Sequence, residues 1–239
     1  MPDAFDHELL TRNLTAMGLE LSSRQIEQLE LYAALLVEWN QKMNLTAITA
    51  PDGIAVLHFA DSFSLLSVAD LPAGGALLDV GTGAGFPAIP LLIARPDLRL
   101  TMMDSLAKRL TFIETVLDRL GLNAVCIHSR AEDAARQKEL REQFDVVTAR
   151  AVAAMNVLAE YCLPYVKVGG TFAAMKGPQV AEELAAAKAG IGQLGGKVQT
   201  VHTLTLSDGS ERGIALIRKV RPTPPEFPRH GSKISKKPL

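Results

Sequence analysis

The chain has 239 residues, of which 48% are hydrophobic and 21% are charged, and its net charge is −1 at pH 7. A chain of this length buries enough apolar surface to fold without disulfides or structural metals. It has only two cysteines, which excludes a disulfide framework and favours a reducing compartment. We find neither a secretory signal pattern nor an apolar run long enough to span a membrane, so a cytoplasmic protein is predicted.

The charge is distributed unevenly along the chain. From Arg218 to Leu239, seven Lys and Arg stand against one acid, so this segment carries +6 and the remaining 217 residues carry −7. A basic end fits contact with a polyanion, and it equally fits an ordinary solubilising tail. The Pro and Lys content of residues 222–239 predicts a flexible tail.

Residues 1–70 are predicted to form a helical N-terminal cap. Ser22 and Gln25 form a capping box, and apolar residues recur at helical spacing from Ile26 onward. A Pro- and Gly-rich stretch at 71–75 ends this region.

From residue 76, short apolar runs alternate with helical patterns. Strands are predicted at 76–80, 98–103, 124–128, 144–148, 170–175, 198–206 and 212–220, with helices at 88–94, 107–120, 134–142, 155–166 and 180–194. This alternation predicts an α/β fold with a mostly parallel, seven-stranded sheet. The antiparallel pair at its end is typical of class I methyltransferases, which have a Rossmann-like core, and not of dinucleotide dehydrogenases. The core is assigned to 71–221 and the basic tail to 222–239.

A glycine-rich loop follows the first predicted strand. Gly81, Gly83 and Gly85 let the backbone turn sharply and approach a ligand closely. The spacing also satisfies the dinucleotide-binding pattern. However, Asp79 at the strand end would repel a pyrophosphate, whereas it tolerates the ammonium group of S-adenosylmethionine (SAM). The loop therefore favours SAM over a dinucleotide.

Two further segments are placed to contact adenosine. Asp104, at the end of the second strand, would accept hydrogen bonds from ribose hydroxyls, and it could also cap the helix that begins after Ser105. Ala131 and Glu132 lie in the loop after the third strand, where their backbone could meet the adenine. That loop could equally be only the cap of the next helix.

These residues resemble the RsmG (GidB) family of bacterial small-subunit ribosomal RNA methyltransferases. The glycine loop from Asp79 to Leu91 carries the first match. Further matching segments are Trp39-Asn40, Asn44-Leu45-Thr46, His58, Asp61-Ser62, Asp104-Ser105, Lys108-Arg109, Arg130-Ala131-Glu132, Thr148-Ala149-Arg150-Ala151, Lys176-Gly177, Arg229-His230-Gly231 and Lys236-Lys237-Pro238-Leu239. The resemblance covers about residues 30–239.

The resemblance implies a SAM-dependent enzyme that methylates N7 of one guanine, position 527 in the 530 loop of 16S ribosomal RNA. It implies SAM contacts by Gly81, Phe86, Ala131, Glu132 and Arg150. The partner it implies is small-subunit ribosomal RNA or the assembling small ribosomal subunit. Ala88 stands where many family members carry glycine, and we expect only a small steric effect from it.

Guanine N7 carries a free lone pair, so its methylation needs positioning but no general base. Arg150, at the carboxyl end of the fourth strand, could orient the guanine or the cofactor, or it could form a structural ion pair. Six basic residues are candidate RNA phosphate contacts, or simply solvated charges: Lys108, Arg109, Lys176, Arg229, Lys236 and Lys237. Cys126 and Cys162 are predicted to be core thiols, and no metal-ligand spacing is found.

Two alternatives remain open at this point. One is a class I methyltransferase that acts on a small molecule or a protein; the basic tail and Lys108-Arg109 count against it. The other is an NAD-dependent oxidoreductase, against which Asp79 and the terminal strand pair count. We expect a monomer that binds neither metal nor membrane.

Overall fold

The computed structural model of the protein describes residues 4–239. Three helical segments precede the sheet: α1 is His7–Ala16, α2 is Ser23–Met43, and α3 is composite and spans 51–67. The predicted capping box of Ser22 and Gln25 is present at the start of α2. Within α3, Ile54–Ala60 forms a π-helical stretch, a widened turn that is frequent at functional sites.

The seven predicted strands form one sheet. They are β1 (Ala76–Val80), β2 (Arg99–Asp104), β3 (Val125–His128), β4 (Phe144–Arg150), β5 (Val166–Lys176), β6 (Gly196–Thr205) and β7 (Glu211–Lys219). The spatial order is β3-β2-β1-β4-β5-β7-β6. Strands β1 to β5 pair in parallel, and β7 runs antiparallel to both of its neighbours. The sheet confirms the predicted α/β architecture.

The remaining helices cover both faces of the sheet. They are α4 (Ala88–Ala94), α5 (Ala107–Leu120), α6 (Ala131–Ala134), α7 (Met155–Cys162), α8 (Val180–Gln193) and α9 (Gly231–Lys236). None of the helices in residues 4–239 is both long and apolar enough to cross a membrane.

One helix prediction is wrong, and another is too long by one residue. The helix predicted at 134–142 is absent: α6 overlaps it only at Ala134, and irregular turns follow. The Arg141 side chain donates to backbone carbonyls of the C-terminal segment instead. The backbone of Glu142 is left-handed, with a φ of 55°, which an α-helix does not allow. The helix predicted at 155–166 is present as the α-helix Met155–Cys162 followed by a 3-10 turn, Leu163–Tyr165, and only Val166 belongs to β5 instead.

Each face of the sheet has its own hydrophobic core. On one face, Tyr32 and Phe59 of the N-terminal helices pack in one cluster with Leu77 and Met102 of the sheet. On the other face, α7 and α8 pack against the sheet. The N-terminal helices therefore share a core with the sheet, and the proposed boundaries at 70 and 221 stay a prediction.

The C-terminal segment, residues 222–239, is packed against the core. Arg141 Nη1 donates to the Phe227 carbonyl over 2.8 Å, and its Nη2 donates to the Thr223 carbonyl over 2.8 Å. Ile234 of α9 is fully buried. The prediction of a flexible tail is therefore wrong. Arg141 binds backbone carbonyls of this segment, and the segment buries the Ile234 side chain.

Candidate functional site

Two neighbouring cavities lie at the carboxyl edge of the parallel strands, where open α/β sheets bind ligands. The smaller, of about 130 Å³, is called the cofactor pocket here, and its lining includes Gly81, Asp104 and Ala131. The larger, of about 430 Å³, is called the substrate cavity, and Arg150 and His58 line it. Successive residues after β4 line the two cavities in turn, so one loop borders both.

The cofactor pocket brings together residues that are far apart in the chain. Five predicted residues line it: Gly81, Asp104, Ser105, Ala131 and Glu132. Val152 and Tyr161 also line it, and sequence reasoning missed them because neither carries a motif. Arg150 lies in the other cavity, and Gly83, Gly85 and Phe86 lie outside the lining of this pocket.

Asp104 lines the cofactor pocket and accepts hydrogen bonds from the segments around it. Its carboxylate accepts hydrogen bonds from the Gly83 amide (3.0 Å), from the Leu106 amide (2.9 Å) and from Arg109 Nη1 (3.2 Å). It therefore braces the glycine loop and the start of α5 at the same time. These bonds do not exclude a ribose contact, since a carboxylate offers about four acceptor sites.

The Val152 side chain packs against Gly81 at the position where a side chain on residue 81 would project. Gly81 has a φ of 72°, and a Cβ placed on it would lie 2.7 Å from Val152 Cγ2. Gly83 is also left-handed, but a Cβ there would meet no atom closer than 4.0 Å. Only glycine at position 81 therefore fits beside Val152, and its bare backbone forms part of the wall of the cofactor pocket.

Asp79 lies beneath the loop with an unsatisfied carboxylate. It is fully buried, and neither carboxylate oxygen has a hydrogen-bond partner among the described residues. Burial raises the pKa of Asp79 to about 7. Asp79 lines neither cavity, so its carboxylate would act on a cationic ligand group through its charge and not by contact.

We expect the Asp79→Asn substitution to remove a pH dependence of stability. The pKa of Asp79 is about 7 in the folded protein and 3.8 in the unfolded chain. Between these pH values the folded state binds more protons than the unfolded state, so the free energy of unfolding falls as the pH rises through 7. From pH 5 to pH 8 this amounts to about 2.5 kcal/mol. Urea unfolding of both proteins at the two pH values measures the difference. Equal pH slopes would show that Asp79 titrates normally.

Phe86 lies in a stack of rings between the glycine loop and the substrate cavity. Its ring is 4.3 Å from that of His58 at an interplanar angle of 8°, and 5.2 Å from that of Tyr32. The Arg150 guanidinium carbon lies 5.2 Å from the Phe86 centroid. Phe86 therefore supports Arg150 and His58.

Arg150 is held by a buried carboxylate. Its Nη1 donates to Asp61 Oδ2 over 2.6 Å and to the Leu57 carbonyl over 3.2 Å. Asp61 Oδ1 accepts a second bond, of 2.9 Å, from Arg212 Nε. Arg150 thus forms a structural ion pair and also lines the substrate cavity. Sequence reasoning missed Arg212, which lies in no matched motif.

His58, on the π-helical stretch, is kept neutral. Its Nε2 lies 3.0 Å from Thr46 Oγ1, and burial, followed by the charge of Arg150, lowers the pKa of His58 to about 4. A histidine with this pKa is a weak base at neutral pH.

The six predicted phosphate contacts fall into two groups. Lys108, Lys236 and Lys237 are exposed, and Arg109 is partly exposed. Lys176 and Arg229 are engaged inside the protein: Lys176 Nζ lies 2.8 Å from Glu183, and Arg229 Nη2 lies 2.6 Å from the fully buried Glu160. The positions of these last two residues favour structural roles.

Neither cysteine is placed for nucleophilic chemistry. Cys162 is buried in the core, and burial raises the pKa of Cys126 to about 11, so neither thiol is poised as a thiolate. Within residues 4–239, no group of three His, Cys, Asp or Glu side chains could hold a metal ion.

Solved structures show the same fold at low sequence identity. TrmN from Thermus thermophilus superposes with a TM-score of 0.53 at 19% identity, covering 66% of this chain and 48% of that one. TYW2 from P. horikoshii superposes with a TM-score of 0.52 at 11% identity, covering 66% of this chain and 61% of that one. The fold is that of class I SAM-dependent methyltransferases.

Sequence comparisons are more specific. The family model described as "rRNA small subunit methyltransferase G" (GidB) matches residues 25–212. The protein of that name from Geobacillus kaustophilus is 52% identical over 228 residues, which cover 95% of this chain and 96% of that protein. The one from Clostridium perfringens is 44% identical over 235 residues, covering 97% and 98%. The chain therefore belongs to the rRNA small subunit methyltransferase G (GidB) family.

Proposed function

We propose that this enzyme transfers the methyl group of SAM to N7 of a single guanine, position 527 in the 530 loop of 16S ribosomal RNA, by positioning and without a general base. The observation that carries this proposal is the substrate cavity, which lies beside the cofactor pocket and offers no free base. Family membership supports a ribosomal RNA substrate. It leaves without support both the oxidoreductase and the methyltransferase that acts on a small molecule or a protein.

The lining of the cofactor pocket suits SAM, which when bound would supply an electrophilic methyl group. Gly81 would admit it against the backbone, and Asp104 and Ser105 would hold its ribose. Ala131 and Glu132 lie where an adenine edge could be contacted. The unmet carboxylate of Asp79 under the loop favours the positive charge of this cofactor.

Every acidic side chain of the substrate cavity is already paired. Asp61 is bound by Arg150 and Arg212, and Glu183 is bound by Lys176. His58 stays neutral at physiological pH. This arrangement suits guanine N7, which carries no proton to remove, and suits poorly an exocyclic amine or a hydroxyl, which must lose one.

Arg150 is the residue that we assign to the guanine. A guanidinium donates readily to guanine O6, and this contact would orient the base while N7 stays free. Lys108, Arg109, Lys236 and Lys237 would contact RNA phosphates, because they are at least partly exposed. Arg229 is left out of this set, since its guanidinium is bound to Glu160.

The test is methyl transfer from labelled SAM to small ribosomal subunits, and separately to naked 16S ribosomal RNA, both from cells that lack this enzyme. Nucleosides from the digested RNA are resolved by mass, and protected fragments locate the label. We expect label in 7-methylguanosine within the 530 loop. Label in any other nucleoside would contradict the proposed N7 chemistry, and 7-methylguanosine elsewhere would contradict the proposed site.

A further inference from the structure

The loop between β4 and α7 separates the two cavities. Ala151 lines the substrate cavity, and the next residue, Val152, lines the cofactor pocket. Val152 is also the side chain that lies over Gly81. We call residues 151–153 the partition loop. The conformation of this loop sets how closely Val152 packs against Gly81. The loop begins directly after Arg150 in the chain.

The partition loop has a strained backbone. Ala151 has a φ of 55°, in the left-handed region that residues with a Cβ rarely adopt. Such a conformation persists only when surrounding contacts impose it. The loop therefore needs an anchor.

Two charged side chains provide that anchor. Lys176 Nζ, at the end of β5, donates to the Ala153 carbonyl over 2.8 Å and pairs with Glu183 Oε2 over 2.8 Å. The same Glu183 oxygen accepts from the Met155 amide over 2.8 Å. Both side chains are largely sheltered, with 12% and 27% of their surfaces exposed. One ion pair thus ties the loop's last carbonyl and the first amide of α7.

We propose that Lys176 and Glu183 are positioning residues that hold the partition loop, and so set both cofactor affinity and the placement of Arg150. This assigns Lys176 a role other than the phosphate contact predicted from the sequence. The effect on Arg150 rests on the proposed function. The effect on cofactor affinity does not, because Val152 and Gly81 belong to the pocket itself.

The test is a double-mutant cycle with Lys176→Met, Glu183→Gln and the double variant. SAM affinity is measured by calorimetry, and kcat and KM for the RNA substrate are measured separately. Loss of one charge-assisted hydrogen bond is expected to weaken SAM binding by about tenfold. Each single variant should show this loss together with a lower kcat. Both side chains also line the substrate cavity, so the KM for RNA is measured as the separate readout of a direct RNA contact. The double variant should lose no more SAM affinity than the single variant that binds SAM less tightly, because both residues act through one loop.

Lys188→Met is the matched control, because Lys188 is an exposed lysine on α8 that is remote in sequence from the loop. It should keep the SAM affinity of the parent. Lys176→Arg should retain most of it, since arginine can still donate to the Ala153 carbonyl and pair with Glu183. Thermal unfolding of every variant separates a local loss of affinity from a loss of fold. If Lys176→Met does not fold, Lys176→Gln and Glu183→Asp enter the same cycle.

Two results would overturn this proposal. In one, Lys176→Met raises the KM for RNA and flattens its salt dependence, with SAM affinity unchanged, and Glu183→Gln has no effect; Lys176 is then a phosphate contact. In the other, the two losses of SAM affinity simply add. Because calorimetry needs no RNA, a wild-type enzyme that methylates another nucleoside would defeat the proposed function without deciding this inference.

Discussion

A Gly81→Val substitution is expected to weaken SAM binding by about 100-fold or more, through strain and overlap in the glycine loop. Gly81 has a φ of 72°, which a β-branched residue adopts only at high cost, and its Cβ would lie 2.7 Å from Val152 Cγ2. The added side chain would displace Val152, which lines the pocket that we assign to the cofactor. Calorimetric titration with SAM measures the loss.

Gly83→Ala is the matched control for this prediction. Gly83 has a similar φ of 61°, but a Cβ there would meet nothing closer than 4.0 Å. This variant should lose some stability to left-handed strain, about 1 kcal/mol, and little SAM affinity. If both variants lost affinity equally, backbone strain and not pocket volume would be the cause, and our placement of the cofactor against Gly81 would be wrong.

Arg150→Ala is expected to lower kcat/KM for RNA methylation by about 10²- to 10³-fold, since orientation is the main source of rate in a reaction without a base. SAM affinity should change little, because Arg150 lines the substrate cavity and not the cofactor pocket. The fold should survive, since Asp61 keeps its second partner, Arg212. Steady-state kinetics at saturating SAM, together with calorimetry, measure the two effects.

Two further variants sharpen this prediction. Arg150→Lys keeps the positive charge but not the planar fork, so most of the loss should remain. Arg218→Ala removes an exposed arginine of β7 that lies outside the substrate cavity, and it should behave like the parent. An Arg150→Ala enzyme with normal kcat/KM would limit Arg150 to its ion pair with Asp61.

Local sequence patterns predicted most elements correctly. The predicted bounds of β1, α4 and α5 match the structure, because each is an apolar run or an amphipathic period bounded by glycine, proline or a cap. The helix predicted at 134–142 is absent, although its residues favour helix. The contacts of Arg141 with the C-terminal segment override that propensity.

The residues of the candidate site also fall into those that the sequence could predict and those that it could not. Gly81, Asp104 and Ala131 could be predicted to meet, because the carboxyl ends of parallel strands gather at one edge of a sheet. Arg212 could not, because it reaches Asp61 from 151 residues further along the chain. The ion pairs of Lys176 with Glu183 and of Arg229 with Glu160 could not be predicted either, because a sequence does not show whether a basic residue is exposed or buried.

The sequence by itself determined the order of strands and helices, the glycine loop and, through its motifs, the family. These features depend on short-range periodicity, on backbone freedom at glycine and on residues close together in the chain. Only the tertiary structure decided which charges are paired, that the C-terminal segment is packed, and that one strained loop separates two cavities. Each of these depends on contacts between distant segments, whose energies the local sequence does not contain.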